Sequence, residues 1–135
     1  RFDNGNKGSV TVSQVSAGRK NQLKLEISGS ECTIAFNSEA PNEVWIGKRN
    51  AANELLMRDP SLVHAEASPL ITYPGGHNEG FGDTSKQMFK EVYAAIEEGA
   101  QPAEPKFPTF ADGYRELLIA DSILESSRSE KWTKV

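Results

Sequence analysis

The stretch LKLEISGSECTIAFN, residues 23–37, alternates apolar and polar side chains on both sides of a central glycine. A period of two is typical of a β-strand with one face turned to a core, because successive side chains point to opposite faces of a sheet. Gly29 and Ser30 interrupt the alternation with residues that favour turns. The stretch therefore predicts two strands that pair antiparallel through a short turn.

Further strands are predicted on both sides of this pair. Upstream, residues 8–15 form a valine-rich run, and a Gly-Arg-Lys-Asn turn follows at residues 18–21. Downstream, Pro41 breaks the pattern before a short apolar strand over residues 44–46. Residues 53–57, NELLM, are interpreted as a short helical turn or a loop. Because the intervening turns are short, we expect consecutive strands to form an antiparallel meander.

A first helix is predicted from the apolar spacing in the second half of the chain. It opens at Asp83 and Thr84, and Thr84 has Gln87 three residues further on, which is the spacing of a capping box. Gly99 ends the helix. The apolar stripe consists of Met88, Phe89, Val92, Tyr93 and Ile96. Side chains at this spacing share one helix face, so we expect the stripe to be buried.

A second helix begins after a connector that contains three prolines. Thr109 and Asp112 are predicted to cap it. Its stripe, which we also expect to be buried, consists of Phe110, Tyr114, Leu117, Leu118 and Leu124. Strands followed by helices predict an α+β fold, a predominantly antiparallel sheet with helices packed on one face. Residues 1–135 have the length of a single domain.

Composition excludes several classes of function. The formal net charge is −4, whereas binding to a phosphate backbone depends on clustered lysine and arginine, so we expect no nucleic-acid partner. No run of about 18 apolar residues is present, so no membrane span is predicted. Cys32 is the sole cysteine and is expected to be a small buried side chain. A chain without an internal disulfide fits the cytoplasm.

One pair of residues is a candidate for acid–base chemistry or ligand binding. His77 and Glu79 lie in a loop rich in glycine, YPGGHNEGF, just before the predicted helix. Glycines let the backbone turn sharply and expose polar side chains. Residue types alone leave a purely structural role open, in which both side chains bond the loop backbone. His64 has no suitable neighbour, so no metal site is predicted, and no glycine-rich dinucleotide or phosphate motif is present.

An ordered set of short motifs extends over most of the chain. The motifs are Gly18-Arg19-x-Asn21, Leu25-Glu26-Ile27-x-Gly29-Ser30, Tyr73-Pro-Gly-Gly-His-x-Glu-Gly-Phe81, Pro108-Thr-Phe-x-Asp-Gly113 and Trp132-x-x-Val135. The set resembles the C-terminal domain of the Gfo/Idh/MocA family of NAD(P)-dependent sugar and polyol dehydrogenases. The departures are Glu31, which replaces a small residue, and Ser85 and Lys86, which stand where an aromatic residue often follows the Asp-Thr pair.

The resemblance implies a substrate and oligomerisation domain in a larger enzyme. It implies that His77 and Glu79 line a sugar or polyol pocket, and that the sheet forms a homodimer or tetramer. NAD or NADP would be held mainly by an N-terminal Rossmann domain upstream of Arg1, together with the catalytic lysine of a Glu-Lys-Pro motif. No position in this chain matches that motif, so no catalytic or cofactor-binding residue is assigned and the chain alone is expected to be inactive. The opening at Arg1, without methionine, is interpreted as a cut inside a longer protein.

One alternative remains at this point, a binding or oligomerisation module without any catalytic role. A small independent hydrolase is discounted, because it would have only His77 and Glu79 and no nucleophile constellation is present. A dinucleotide motif and a Glu-Lys-Pro motif upstream of the chain would support the dehydrogenase, and their absence would support the module.

Overall fold

The computed structural model describes residues 1–100 and 102–135. Four strands come first, followed by a 3₁₀ turn and two long helices. Contacts divide the chain into two compact units, Arg1–Asn78 with the sheet and Glu79–Val135 with the helices. The predicted α+β class is thereby confirmed. The packing of the helices on one face of the sheet, and the single domain, stay predictions.

The first unit contains a four-stranded antiparallel sheet. The strands are β1 (Lys24–Ser28), β2 (Cys32–Asn37), β3 (Glu43–Lys48) and β4 (Glu54–Met57). They are ordered as they occur in the chain, and each pairs antiparallel with the next. The turn predicted after β1 is closed by the Gly29 N–H, which donates to the Cys32 carbonyl oxygen over 2.8 Å. The predicted meander is confirmed.

Register gives the sheet an apolar face and a mixed face, since residues directly opposite one another in a ladder share a face. The apolar face carries Leu25, Ile27, Ile34, Phe36, Val44, Ile46 and Leu56. The mixed face carries Lys24, Glu26, Thr33, Ala35, Trp45, Leu55 and Met57. No side chain on either face is buried, nor is any other side chain among residues 1–100 and 102–135. Cys32, expected to be buried, is exposed.

Two expectations about strands are wrong, each for a reason of pairing. Residues 8–15 form no strand, and Val10 is 89% exposed, because β-propensity has little effect without a partner for the backbone. Thr11 and Ser13, which alternate with the valines of this run, therefore lie outside the sheet. Residues 54–57 form strand β4 rather than a helical turn, because β3 satisfies their backbone groups. A single helical turn would be marginal by comparison.

The first helix, α1 (Phe81–Glu98), begins two residues before its predicted start. Gly80 is the N-cap, and the Asp83 carboxylate accepts the Gly80 N–H at 3.0 Å. The predicted Thr84–Gln87 capping box is therefore wrong, since Thr84 already lies inside the helix, where its hydroxyl donates to the Gly80 carbonyl oxygen. Gly99 ends the helix with φ +70°, as predicted.

The second helix, α2 (Phe110–Ser129), has the predicted cap: Thr109 Oγ1 accepts the Asp112 N–H, and the Asp112 carboxylate accepts the Thr109 N–H. The apolar stripe of α2, expected to be buried, is not buried, and Phe110 is 99% exposed. The stripe of α1 likewise has no buried residue. Residues 131–135, which contain the Trp132-x-x-Val135 motif, form no strand. A helical stripe shows which face is apolar, whereas burial requires a second surface.

Candidate functional site

The loop that carries the candidate histidine contains a tight turn over residues 74–77. The His77 N–H donates to the Pro74 carbonyl oxygen across 3.3 Å and closes the turn. Gly76 occupies the third position with φ +81°, a left-handed conformation that residues with a Cβ rarely adopt. The predicted sharp turn is therefore present, and His77 lies directly after its left-handed residue.

The imidazole of His77 is exposed at the end of this turn. Its Nδ1 lies 3.4 Å from the Gly75 carbonyl oxygen, which is at the outer limit of hydrogen bonding. A neutral imidazole donates through one nitrogen and accepts through the other, which suits the recognition of a hydroxyl group. The side chain can therefore reorient toward a ligand at little cost in lost hydrogen bonds.

Glu79 lies two residues further on and is half-buried. The boundary between the two compact units falls between Asn78 and Glu79, so the histidine belongs to the sheet unit and the glutamate to the helix unit. The proposed pairing of these side chains stays a prediction. Within the helix unit, Glu79 immediately precedes the N-cap of α1.

Arg58, which follows β4, holds the candidate loop from the sheet side. Its Nη1 donates to the Tyr73 carbonyl oxygen over 2.8 Å, and its Nη2 donates to the carbonyl oxygens of Pro74, over 3.3 Å, and His77. No motif in the sequence singles out Arg58, because an arginine just before an Asp-Pro turn has no distinctive spacing. Its place beside a turn is the only signal that the sequence offers.

The same loop lies against the turn that follows Arg58. A Cβ on Gly75 would lie 3.0 Å from Cγ of Asp59, so the loop backbone and this carboxylate are in close contact. Asp59 Oδ1 accepts from the Ser61 hydroxyl at 2.6 Å and from the Ser61 N–H at 2.8 Å. These hydrogen bonds, and then the neighbouring Arg58 charge, lower the pKa of Asp59 below its ordinary value. The Asp59 carboxylate beside Gly75 is therefore ionised and held in place by Ser61.

The N-terminus of α1 does not fit a dinucleotide phosphate. Gly80-Phe-Gly82 opens the helix, but it follows a loop rather than a strand, and Ser85 stands where a third glycine would be. The Asp83 carboxylate also occupies the free N–H of Gly80. A negative side chain at this position disfavours a second anion. The residues present therefore do not form a cofactor phosphate site there.

The other histidine, His64, interacts within its own turn. His64 Nδ1 accepts the Glu66 N–H at 3.4 Å within its own turn. In the part of the chain that the structure describes, no group of three or more histidine, cysteine or acidic residues is placed to hold a metal. No described helix is long and apolar enough to cross a membrane.

Comparison with known proteins finds relatives that match the whole chain. No protein-family model matches the chain. Levoglucosan dehydrogenase from Pseudarthrobacter phenanthrenivorans is 33% identical over 141 residues, covering 100% of this chain and 34% of that protein. The solved structure of levoglucosan dehydrogenase in complex with NADH and levoglucosan is 31% identical with a TM-score of 0.84, covering 100% of this chain and 36% of that one.

Two more distant structures share the fold. An oxidoreductase from Sinorhizobium meliloti is 27% identical with a TM-score of 0.82, over 90% of this chain and 35% of that one. An inositol dehydrogenase homologue from Azotobacter vinelandii, complexed with NAD⁺, has a TM-score of 0.73 at 21% identity, over 81% of this chain and 29% of that one, which shows the fold alone. The chain spans about a third of the length of the relatives it matches. The chain is thus similar to about a third of the length of oxidoreductases of the Gfo/Idh/MocA type, the family that its motifs resemble.

Proposed function

We propose that this chain is the substrate-side and oligomerisation domain of an NAD(P)-dependent dehydrogenase that oxidises a hydroxyl of a sugar or polyol. The observation that carries the proposal is similarity over the whole chain to an enzyme whose structure holds NADH and levoglucosan. Levoglucosan is a compact sugar with several hydroxyls. Because the chain covers 36% of that enzyme, the activity belongs to the whole protein and not to this part of it.

The chemistry defines what this domain must supply. In the oxidation, the hydroxyl-bearing carbon gives a hydride to NAD(P)⁺ and the hydroxyl oxygen gives a proton to a base, leaving a carbonyl. Neither transfer is assigned to residues of this chain, which carries no motif for the cofactor or the catalytic lysine. Its part is to hold the other hydroxyls so that the reacting carbon is correctly oriented, which is a large part of catalysis. His77 and Glu79 are the residues proposed to do so.

NAD is the cofactor that the relatives favour, since their structures hold NADH or NAD⁺. We propose that it is bound mainly outside this chain, in the Rossmann domain that the resemblance implies. Gly80 and Gly82 do not form a phosphate-binding turn, for the reasons given above. A cytoplasmic location is proposed as well, and the single cysteine of the chain fits it.

Kinetics of the full-length protein test the role of His77. With NAD⁺ and levoglucosan, and in parallel with myo-inositol, His77→Ala is expected to lower kcat/KM at least about tenfold, or about 1.4 kcal/mol of transition-state stabilisation. His64→Ala is the matched control, because His64 is also exposed but bonds only within its own turn. If both variants have the same kcat/KM as the parent protein, His77 has only a structural role in the loop.

Association through the sheet is proposed as the second task of this domain. The mixed face presents Trp45 with 39% of its surface exposed and Leu55 with 52% exposed, beside the charged Lys24 and Glu26. Exposed aromatic and aliphatic side chains among polar ones are typical of protein interfaces. A homodimer, or a tetramer built from it, would cover this face.

Sedimentation equilibrium of the full-length protein tests this association. Trp45→Glu on the mixed face is expected to shift the assembly toward the monomer, because it places a charge in the centre of the interface. Ile119→Glu in α2, 40% exposed, is the control for adding a charge outside the sheet. Monomer mass at all concentrations for the parent protein would show that the mixed face is only solvated.

A further inference from the structure

We propose that Arg58 is a positioning residue for substrate binding, which holds the Tyr73–His77 loop against the sheet and thereby fixes His77. The inference rests on the proposed function, since it assumes that His77 faces the substrate. Arg58 itself is not proposed to contact substrate. It acts through the loop backbone.

The surroundings of Arg58 differ from those of the other cationic side chains. The chain has 15 lysine and arginine residues, all within the described ranges, and Arg58 alone is half-buried while the others are exposed. Withdrawing a guanidinium from water is costly unless its N–H groups find acceptors. Arg58 donates to the carbonyl oxygens of Tyr73, Pro74 and His77, and to the side chain of Asn42.

One end of this arrangement is tied to the sheet. The Arg58 N–H donates to the Asn42 carbonyl oxygen over 2.7 Å, one step beyond the β3–β4 ladder. Nε donates to Asn42 Oδ1 at 2.9 Å. The backbone and the side chain of Arg58 therefore both bind Asn42, the residue just before β3. These two hydrogen bonds restrict the Arg58 side chain and orient its guanidinium group.

The other end binds both sides of the turn that presents His77. The Pro74 carbonyl oxygen accepts from the His77 N–H and from Arg58, so closure of the turn and its attachment to the sheet share one acceptor. The guanidinium also binds the carbonyl oxygen of His77 itself. The Asp59 carboxylate against Gly75 limits movement of the loop on a further side. A planar fork of donors can satisfy several carbonyls at once, which a lysine ammonium on a flexible stem cannot reproduce.

Hydrogen–deuterium exchange and kinetics of the full-length protein test the inference together. Arg58→Gln is expected to accelerate amide exchange in a peptide covering residues 73–78 at least about fivefold, because the loop loses its attachment and opens locally. Arg49→Gln is the matched control: Arg49 also donates to a backbone carbonyl, that of Ser30 at 2.9 Å, but at the β1–β2 turn. Unchanged exchange in Arg58→Gln would overturn the inference.

A double-mutant cycle separates positioning of His77 from general stability. With NAD⁺ and levoglucosan, Arg58→Gln is expected to lower kcat/KM about tenfold alone, but less than about threefold in a His77→Ala background, since both changes disable the same contact. Fully additive losses would overturn positioning through His77. If Arg58→Gln does not fold, Arg58→Lys replaces it, keeping the charge and losing the fork. A third outcome is faster loop exchange in Arg58→Gln together with unchanged kcat/KM in His77→Ala. It would support attachment of the loop by Arg58 and reject the proposed role of His77 in substrate binding.

Discussion

Among single residues, Gly75 shows how the absence of a side chain supports the candidate site. Its backbone lies against Asp59, whose carboxylate is held by Ser61. No rule of turn chemistry identifies this requirement, because the left-handed residue of the turn is the neighbouring Gly76. Gly75 is needed for space and Gly76 for conformation.

Gly75→Ala is therefore expected to push the loop away from the Asp59 turn. Overpacking of this size costs about 1–2 kcal/mol, and we expect a lower melting temperature and faster amide exchange over residues 73–78 in the full-length protein. Asp59→Ala in the same background should restore much of the loss, since it removes the clashing carboxylate. Gly82→Ala is the control, because a Cβ there meets nothing within 4 Å. Equal effects of the two glycine substitutions would contradict the steric argument.

At the scale of elements, the two helix N-termini use acidic side chains in the same way. Asp83 accepts the N–H of the residue before α1, and Asp112 accepts that of the residue before α2. In α2 the hydrogen bonds from Thr109 lower the pKa of Asp112 below its ordinary value of 3.8. A carboxyl whose pKa is lowered by folding stabilises the folded state above the unfolded value, and that contribution is lost as the pH falls through the folded value.

The cap of α2 should therefore weaken under acidic conditions. Protection factors of amides in residues 110–115 of the full-length protein, corrected for intrinsic exchange, are expected to stay level above pH 4 and to fall as Asp112 is protonated below 3.8. Asp112→Asn should lower protection at all pH values and remove this dependence. Asp121→Asn, in the middle of the same helix, should keep the parent profile. An unchanged profile in Asp112→Asn would exclude the cap as its origin.

Strand β3 contains a contact that its residue pattern does not reveal. A Cβ on Gly47 would lie 2.6 Å from Cζ3 of Trp45, so the indole rests over the glycine on the mixed face. Gly47→Val is expected to displace the indole into water and shift its emission to longer wavelength. The measurement uses the 135-residue chain with Trp132→Phe as the starting background, so that Trp45 is its single tryptophan. Emission identical to that background would show that the indole does not rest on Gly47.

At the scale of the whole molecule, the lack of any buried side chain in the described residues is the dominant fact. Apolar burial is the main force that offsets conformational entropy in folding. The apolar side chains of the sheet and of the helix stripes are therefore expected to need further cover. The proposed place in a larger dehydrogenase and the proposed association would both supply such cover.

The 135-residue chain produced alone should therefore behave differently from the full-length protein. We expect it to bind a hydrophobic dye such as ANS strongly and to self-associate above its 14.8 kDa mass, whereas the full-length protein does neither beyond its own assembly. NADH titrated into the chain alone should give no saturable fluorescence change. Micromolar binding of NADH would contradict the assignment of the cofactor to another part of the protein.

Local signals in the sequence are enough to predict several elements and the resemblance to the family. Alternation in residues 23–37 predicts β1 and β2, the Thr109–Asp112 spacing predicts the cap of α2, and the glycine pair predicts the turn before His77. Each is a local signal, set by side-chain direction or backbone conformation within a few residues. Enough such signals in order also indicate the resemblance to the family.

Which local signals lead to an element, and which residues hold the candidate loop, depends on the three-dimensional path of the chain. The valine-rich residues 8–15 have no partner and form no strand, while residues 54–57 become β4 because β3 lies beside them. Arg58 reaches the His77 turn across 15 to 19 positions of sequence. Hydrogen bonds and steric contacts at such separations depend on where the chain returns in space, and no local pattern encodes that return.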